Sequence, residues 1–516
     1  MDTEVNVVAT SSTEDAHTIP ALVRAAAATF GDKPAYVADG VTTSFRELHE
    51  RTRAVAQRYV AAGLEPGDRV LVWAPNSVAW VEAALAAMYV GAAMVPANTR
   101  YTAHEVADLV ERTRARLVVV ADGFLGKNQI ADLTAAGIPR ESQVVDVARL
   151  HELPAGEVTL EQVEARADAV SPDDVADILF TSGTTGRSKG ALSAHHQTVG
   201  VGRVWGELGG VNADDRYLVI SPFFHSFGYK VGIITGLTTG ATLYPVPTFD
   251  VTAVMRLIET ERITMIPGAP TIHQSLLNAP DRGDYDLSSL RLVVTGASVV
   301  PVVLIERMRS DLGIDHVVTA FGMTECVVAT MARAEDPAEL VATTCGRAVP
   351  GMEVRVDAPE GEAGELLMRG PWVMLGYLDD PEATAAAIDE DGWLHTGDVA
   401  TMDAQGNIRI TDRLKDMYIN GGFNVYPAEV EQTLMRLEGV ADVAVVGVPD
   451  ERMGEVGKAF VVRTADDAGA ALTAEGVVAY ARERLANFKV PREVAFLDVL
   501  PRNLGGKVLK TELREQ

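Results

Sequence analysis

Cysteine is scarce: the chain has two, Cys326 and Cys345, in 516 residues. They show no metal-ligand spacing, which excludes a disulfide framework and a Cys-type zinc module and leaves two reduced thiols. Basic charge is also in deficit. Lys and Arg number 45 against 72 Asp and Glu, a net charge of −27. That balance argues against nucleic acid or an anionic membrane as the main partner. Long apolar runs are missing too. The longest uncharged run, 231–249, is broken by Thr, Gly and Pro, so no integral membrane segment is expected. Residues 1–17 are polar and acidic, without the apolar core of a secretory signal, and the last residues, Leu513 to Gln516, are no peroxisomal address. The expected setting is the cytoplasm.

What remains is an ordinary soluble composition, 47% hydrophobic and 23% charged, over a length that suggests about three domains. Helical periodicity covers Ile19–Phe30, 45–62, 78–90 and Ala103–Thr113. Short apolar strands alternate with these helices at 70–73, 91–96 and 116–121. Such alternation predicts a mostly parallel sheet covered on both faces. A second round runs through helices at 197–208 and 251–262 and strands at 217–220, 264–266 and 290–294. After about residue 344 the chain turns glycine-rich and β, at 352–356, Gly364–Arg369 and 407–411. The charged stretch 412–416 reads as a connector. A small α+β region follows, with helices at 428–436 and 474–485 and strands at 440–448 and 459–463.

The sharpest local signal is Thr181-Ser182-Gly183-Thr184-Thr185-Gly186-Arg187-Ser188-Lys189-Gly190, directly after the apolar strand Val175–Phe180. It combines glycines, hydroxyls, one Arg and one Lys, with no acid. Glycines allow close backbone approach, and successive N–H groups in such a turn converge on an anion. Lys189 adds a mobile charge suited to a phosphate. The competing reading is a Ser/Thr/Gly surface linker, which rarely sits flush against an apolar strand. The spacing is not that of a P-loop: Ser188 stands where the second Gly belongs, and 191–194 looks like a strand rather than a helix start.

Weaker signals follow. Pro222-Phe223-Phe224-His225-Ser226-Phe227-Gly228 suits an apolar ligand wall with one polar group, or plain core packing. In Thr295-Gly296-Ala297-Ser298, small residues at a strand end would let a planar base lie on the backbone. Thr319-Ala320-Phe321-Gly322-Met323-Thr324-Glu325 offers a ring to stack, a hydroxyl for a phosphate and a carboxylate for Mg²⁺, or else a helix-capping Thr-Glu. Asp398, after Gly397, can accept ribose hydroxyls or be a solvated turn residue. Lys507 sits on a Gly-rich loop near the chain end. Glycines 228, 232 and 322, near Phe227, Tyr229 and Trp205, suggest room for a broad, partly polar acid, and Lys230 is unusual company for an aliphatic tail.

These stretches occur in the order of the adenylate-forming superfamily, and from about residue 19 to 513 the chain resembles its stand-alone acyl-CoA synthetases. The resemblance implies an α/β fold: a large N-terminal region, 1–412, of two α/β subdomains plus a β-barrel, a hinge at 413–416, and a small mobile α+β domain, 417–516. It implies three small-molecule ligands, ATP with Mg²⁺, coenzyme A and a carboxylic acid, and leaves a homodimer open. By this likeness Thr181, Ser182, Gly183, Thr184, Thr185, Gly186 and Lys189 cradle the ATP phosphates, with Thr185 near the chemistry. Gly296, Ala297 and Phe321 flank adenine; the family commonly has Tyr where Phe321 stands. Thr324 meets the α-phosphate, Glu325 holds Mg²⁺, and Asp398 and Arg413 bind ribose. His225 lies between the acyl pocket and the pantetheine channel, Lys415 is the hinge, and Gly422 approaches CoA. Lys507 is the adenylation lysine.

The implied chemistry has two steps. Acyl-AMP gives the acid a good leaving group, and CoA thiolate then displaces AMP. Among such enzymes the overall likeness leans toward the actinobacterial synthetases that activate propanoate side chains of steroid-ring fragments, with a short- or medium-chain fatty acid or an aryl acid as alternatives. A luciferase-like oxygenase or a non-catalytic nucleotide-binding protein are the competing classes. An amino-acid-adenylating domain would need an acid in the aromatic stretch, which has none.

Overall fold

The computed structural model describes residues 12–181, 188–295, 302–314, 316–333, 335–359, 361–413, 416–420, 423–450, 453–485, 487–503 and 506–516; of 412, 413, 423 and 424 it describes the backbone alone. The chain divides into two compact units, Met1–Pro267 with Gly322–Val328 and Pro371–Ala386, and Gly268–Phe321 with Ala329–Gly370 and Ala387–Gln516.

The first unit is built on a seven-stranded sheet. Across it run Gly376–Tyr377, Gly190–Ala194, Val175–Phe180, Ala93–Pro96, Arg69–Trp73, Leu117–Val120 and Gln143–Asp146. The last five are mutually parallel, and the first three pair antiparallel at one edge. Strands buried on both faces read as unbroken apolar runs, and Leu117–Val120 does so, with all four residues out of solvent. Helix starts follow local chemistry. Ser44 and Glu47 form a reciprocal capping box for Phe45–Ala61, as Thr102 and Glu105 do for Ala103–Thr113. Gly63, at φ +86°, ends the first of these. A second sheet in this unit orders Val41–Ser44, Pro34–Ala38, Thr242–Pro245 and Arg216–Val219. The strand expected at 264–266 is reduced to one bridge, Met265 to Tyr217. The run after His225 holds a π-helix, Tyr229–Ile234, that the periodicity did not announce.

In the second unit Leu292–Thr295 pairs parallel with residues 316–319. The β-rich part expected as a barrel is built on a four-stranded antiparallel sheet of Glu353–Asp357, Gly364–Arg369, Leu394–Met402 and Ile408–Arg413. Asp412 and Arg413 therefore end a strand rather than opening a linker. The small α+β part has its own core. Helices Pro427–Leu434 and Ala474–Arg484 cover a sheet centred on Val440–Asp450 and Gly454–Arg463. Glu493–Leu497 adds to it in parallel.

Candidate functional site

The antiparallel hairpin of Val175–Phe180 and Gly190–Ala194 sets the neck of the glycine-rich loop, the candidate phosphate site. Phe180 pairs with Gly190, and the pairing continues one step further: Thr181 N–H donates to the Lys189 carbonyl at 2.9 Å, and Lys189 N–H to Thr181 Oγ1 at 3.2 Å. Arg112 braces the neck from outside, donating to the Ser188 carbonyl at 2.6 Å and stacking over Phe180. A Cβ at Gly190 would meet Ile178 at 2.9 Å, so the tight neck needs glycine there. Ser182, Gly183, Thr184, Thr185, Gly186 and Arg187 lie outside the described residues.

Glu325 follows residues 316–323 in a turn before the next strand, 8% exposed. Thr324 and Glu325 thus sit between two strands, and the helix-capping reading does not hold. Tyr377, which the sequence reading passed over, donates its hydroxyl to Glu325 Oε1 at 2.7 Å. Its ring face carries the Lys189 ammonium, 4.9 Å from the centroid. Burial first, and then the Glu325 charge, raise the Tyr377 pKa, so the phenol stays protonated and donates. The only sequence cue to Tyr377 was a bare Gly-Tyr pair.

His225 is open to solvent, and its Nδ1 accepts from the Phe227 N–H at 3.2 Å. Because Nδ1 accepts that bond, the neutral ring carries its proton on Nε2. Of the aromatic stretch, Phe223 is buried core while Phe224 and Phe227 remain partly accessible. Two sequence expectations fail here. Gly228 and Gly322 do not leave room for an acid: a Cβ at Gly228 would meet the Pro222 carbonyl oxygen at 2.2 Å, and one at Gly322 the Val327 oxygen at 2.0 Å. At Gly232 a Cβ would meet a Val219 methyl at 3.2 Å, a milder contact with a side chain. These glycines let backbone pack on backbone or side chain. Trp205 and Tyr229 are likewise core, 1% and 0% exposed. Lys230 offers nothing to an acyl tail either. It is buried, with Nζ 2.8 Å from Ser193 Oγ and 3.0 Å from Asp177 Oδ1.

Within the second unit, Phe321 lies on the strand that continues from Thr319, partly exposed. Asp398 is 5% exposed inside a strand, not on a solvated turn, with Gly397 at φ +68° before it. Its cross-strand partner is Arg413, so the two ribose candidates are neighbours by register. Lys507 sits on a closed turn rather than a loose loop. Its N–H donates to Asn503 Oδ1 at 3.0 Å, the Asn503 N–H returns to the Lys507 carbonyl at 2.8 Å, and Arg502 holds the Gly506 carbonyl at 2.5 Å. Gly506, at φ +79°, lies so close to Thr271 that a Cβ would stand 2.8 Å from its hydroxyl. Thr271 is at the start of helix Pro270–Asn278, and Gly268 just before it is bridged to Thr295. The Lys507 turn is thus brought to the end of the strand that leads into 296–301. Gly296, Ala297, Lys415, Gly421 and Gly422 lie outside the described residues, as does the Arg413 side chain.

A family model described as AMP-binding enzyme matches residues 23–378, and one described as AMP-binding enzyme C-terminal domain matches 429–507. The chain belongs to the AMP-binding enzyme family. The likeness to adenylate-forming acyl-CoA ligases read from the motifs is borne out. A curated relative from Rhodococcus jostii (strain RHA1) is 54% identical over 98% of this chain and 99% of its own length. Its name is 3-[(3aS,4S,7aS)-7a-methyl-1,5-dioxo-octahydro-1H-inden-4-yl]propanoyl:CoA ligase. Among solved structures, ATP-bound MatB from Rhodopseudomonas palustris is 31% identical with a TM-score of 0.83, covering 96% of this chain and 98% of that one. The anthranilate CoA ligase AuaEII in complex with anthranoyl-AMP is 25% identical with a TM-score of 0.86, covering 96% of both chains. Among the described residues of this AMP-binding enzyme no helix is long and apolar enough to cross a membrane.

Proposed function

We propose that this AMP-binding enzyme is an ATP-dependent CoA ligase for an alicyclic propanoate of the kind a steroid-ring fragment carries. The observation that carries the reading is the meeting of Lys189 and Glu325 on Tyr377. A phosphate-seeking cation at the neck of a glycine loop and a cation-seeking carboxylate share one ring. The name of the Rhodococcus jostii relative supports the substrate class. An alicyclic acid with ring ketones is compact and partly polar, unlike a long fatty tail.

In the first step the acid carboxylate attacks the α-phosphorus of ATP, forming the acyl–phosphate bond and releasing pyrophosphate. Negative charge grows on the phosphate oxygens, and preorganised donors there lower the barrier. Lys507, the N–H groups of the 181–189 loop and Lys189 are the donors in this reading, while Thr324 contacts the α-phosphate and Asp398 with Arg413 holds the ribose. Residues present fit Mg²⁺. Glu325 is a nearly buried carboxylate oriented by one neutral hydroxyl, and no group of three or more His, Cys, Asp or Glu among the described residues could form an all-protein cage. That suits a cation that takes one or two carboxylates and shares substrate phosphates. Bound there, Mg²⁺ would offset the charge of the phosphate oxygens. In the second step CoA thiolate attacks the acyl carbon and AMP leaves. His225, whose Nδ1 is engaged by the Phe227 N–H, lies in this reading on the pantetheine side of the acyl group. The small domain, 417–516, moves about 413–416 between the steps, exchanging Lys507 for the Gly422 loop.

The test is a pyrophosphate-release screen over bicyclic, alicyclic, aryl and aliphatic acids, each with and without CoA. A bicyclic propanoate is expected to show a higher kcat/KM than palmitate. Preference for palmitate overturns the substrate, and no release with any acid overturns the activity in favour of a nucleotide-binding role.

A further inference from the structure

Tyr377 stands above only as the place where Lys189 and Glu325 meet, and its surroundings hold it firmly. It pairs with Ala191, and Gly376 with Leu192, on the strand that leaves the phosphate loop. Its N–H donates to Thr384 Oγ1 at 2.8 Å. Gly376 stands at φ +143°, and a Cβ there would meet Thr384 Cγ2 at 2.9 Å. Two residues before it, the Met374 N–H donates to the Glu325 carbonyl at 2.7 Å. The short strand is therefore bonded on one side to the chain that leaves the loop and, through Met374, to the backbone of Glu325. From that fixed base the side chain reaches both functional groups at once, the Glu325 carboxylate by its hydroxyl and the Lys189 ammonium by its ring.

We propose that Tyr377 is a positioning residue for adenylation: its hydroxyl presets the Glu325 carboxylate for the cation, and its ring presets Lys189 for the phosphates. The inference rests on the function proposed above. The hydroxyl takes Oε1 and so fixes the direction of Oε2. A carboxylate that must otherwise search rotamers then meets its cation already oriented, which raises affinity without adding a contact. The ring does the same for a lysine with four rotatable bonds, by a cation–π contact on one side of the ammonium that persists while its other N–H donors meet a phosphate.

The two parts separate in two variants. Tyr377→Phe keeps the ring and loses the hydroxyl; Tyr377→Leu loses both. ATP binding is read by calorimetry as Mg²⁺ is titrated, without turnover. Tyr377→Phe is expected to raise the Mg²⁺ concentration at half-maximal effect about tenfold, the scale of a lost hydrogen bond to a charged group. Its ATP affinity without Mg²⁺ should equal that of wild type. Tyr377→Leu should share the Mg²⁺ shift and also weaken Mg²⁺-free ATP binding about threefold. An unshifted Mg²⁺ titration in Tyr377→Phe overturns the hydroxyl's role, and unchanged Mg²⁺-free binding in Tyr377→Leu overturns the ring's. Thioester formation from chemically made acyl-AMP and CoA needs neither ATP nor cation. Equal slowing of that step in Tyr377→Phe would make the residue a sheet support and overturn the inference. Should wild type release no pyrophosphate with any acid, the ligase reading fails while the calorimetry still decides Tyr377.

Discussion

Lys230 Nζ lies 3.0 Å from Asp177 Oδ1, with 2% and 0% of the two side chains exposed. The pair is the centre of a network. Ser193 accepts from Lys230 at 2.8 Å, and Thr198 donates to Asp177 Oδ2 at 2.6 Å. Asp177 is on the strand that enters the glycine-rich loop, Ser193 on the strand that leaves it, Thr198 on helix His195–Leu208, and Lys230 on the π-helix after His225. The network thus ties the base of the candidate nucleotide loop to the segment that carries the candidate acyl and pantetheine wall. π-helical turns often mark functional segments, and on this one Lys230 is buried against Asp177.

Breaking that pair on one side should be costly. Lys230→Met is expected to lower stability by about 3–5 kcal/mol, because it leaves the Asp177 carboxylate buried without its cation. The double variant Lys230→Met, Asp177→Leu should recover most of the loss. Denaturant midpoints measure both, and a single variant within about 1 kcal/mol of wild type would show that water or Thr198 suffices.

Lys507→Ala should cripple acyl-AMP formation and spare the second step. A preorganised donor to developing charge is worth about 3–4 kcal/mol, roughly 10²–10³ in rate. The loss should fall on kcat with little change in KM for the acid. Supplied with acyl-AMP and CoA, the variant should make thioester at close to the wild-type rate. Equal loss in both half-reactions would remove the case for a domain movement between them.

Glu325→Gln should raise the Mg²⁺ requirement of adenylation and slow it, since a cation with few protein ligands loses its carboxylate. Gln keeps an acceptor for the Tyr377 hydroxyl, so the fold should hold and the melting temperature stay near that of wild type. An unchanged Mg²⁺ titration would place the cation elsewhere.

Acid should destabilise the protein through buried histidines. Burial lowers the His195 pKa from 6.5 to about 4, and Nδ1 accepts the Ile19 N–H at 3.2 Å. His273 is depressed to about 4 as well, again mainly by burial. Between pH 6.5 and 4 the unfolded chain binds protons that the native state refuses. Stability is therefore complete above pH 6.5 and falls as pH drops, levelling below pH 4, by on the order of 3 kcal/mol per histidine. His195→Gln, whose side-chain oxygen can still accept from Ile19, should flatten this fall in melting temperature between pH 7 and 4. An equally steep fall in the variant would assign the acid sensitivity to other groups.

Much of the fold and family could be read from local pattern. The capping boxes at Ser44 and Thr102, the apolar run Leu117–Val120 and the glycine loop before a strand are short-range signals, each complete within a few residues. The order of the stretches at Thr181, Phe321, Asp398 and Lys507 then sufficed to place the chain in its family. Composition excluded a disulfide scaffold and disfavoured a nucleic-acid partner for the same reason, since bulk charge and residue counts need no coordinates.

Tertiary structure alone decided what distant residues do to one another. Glu325 and Tyr377 are 52 positions apart, and the pairing of Gly376–Tyr377 with Gly190–Ala194, together with the Met374–Glu325 backbone bond, brings the hydroxyl to the carboxylate. Asp398 and Arg413 are backbone neighbours through register, and Lys230 on the π-helix lies against Asp177 on a distant strand. Gly228 and Gly322 looked like space and proved to be close backbone packing, because a missing side chain has the same spelling whether it admits a ligand or a neighbouring carbonyl. Helix caps and strand periods are set by bonds along the chain, so the sequence by itself determined them. Burial, ion pairing and the room beside a glycine depend on which remote atoms arrive, and those are settled only when the sheets assemble.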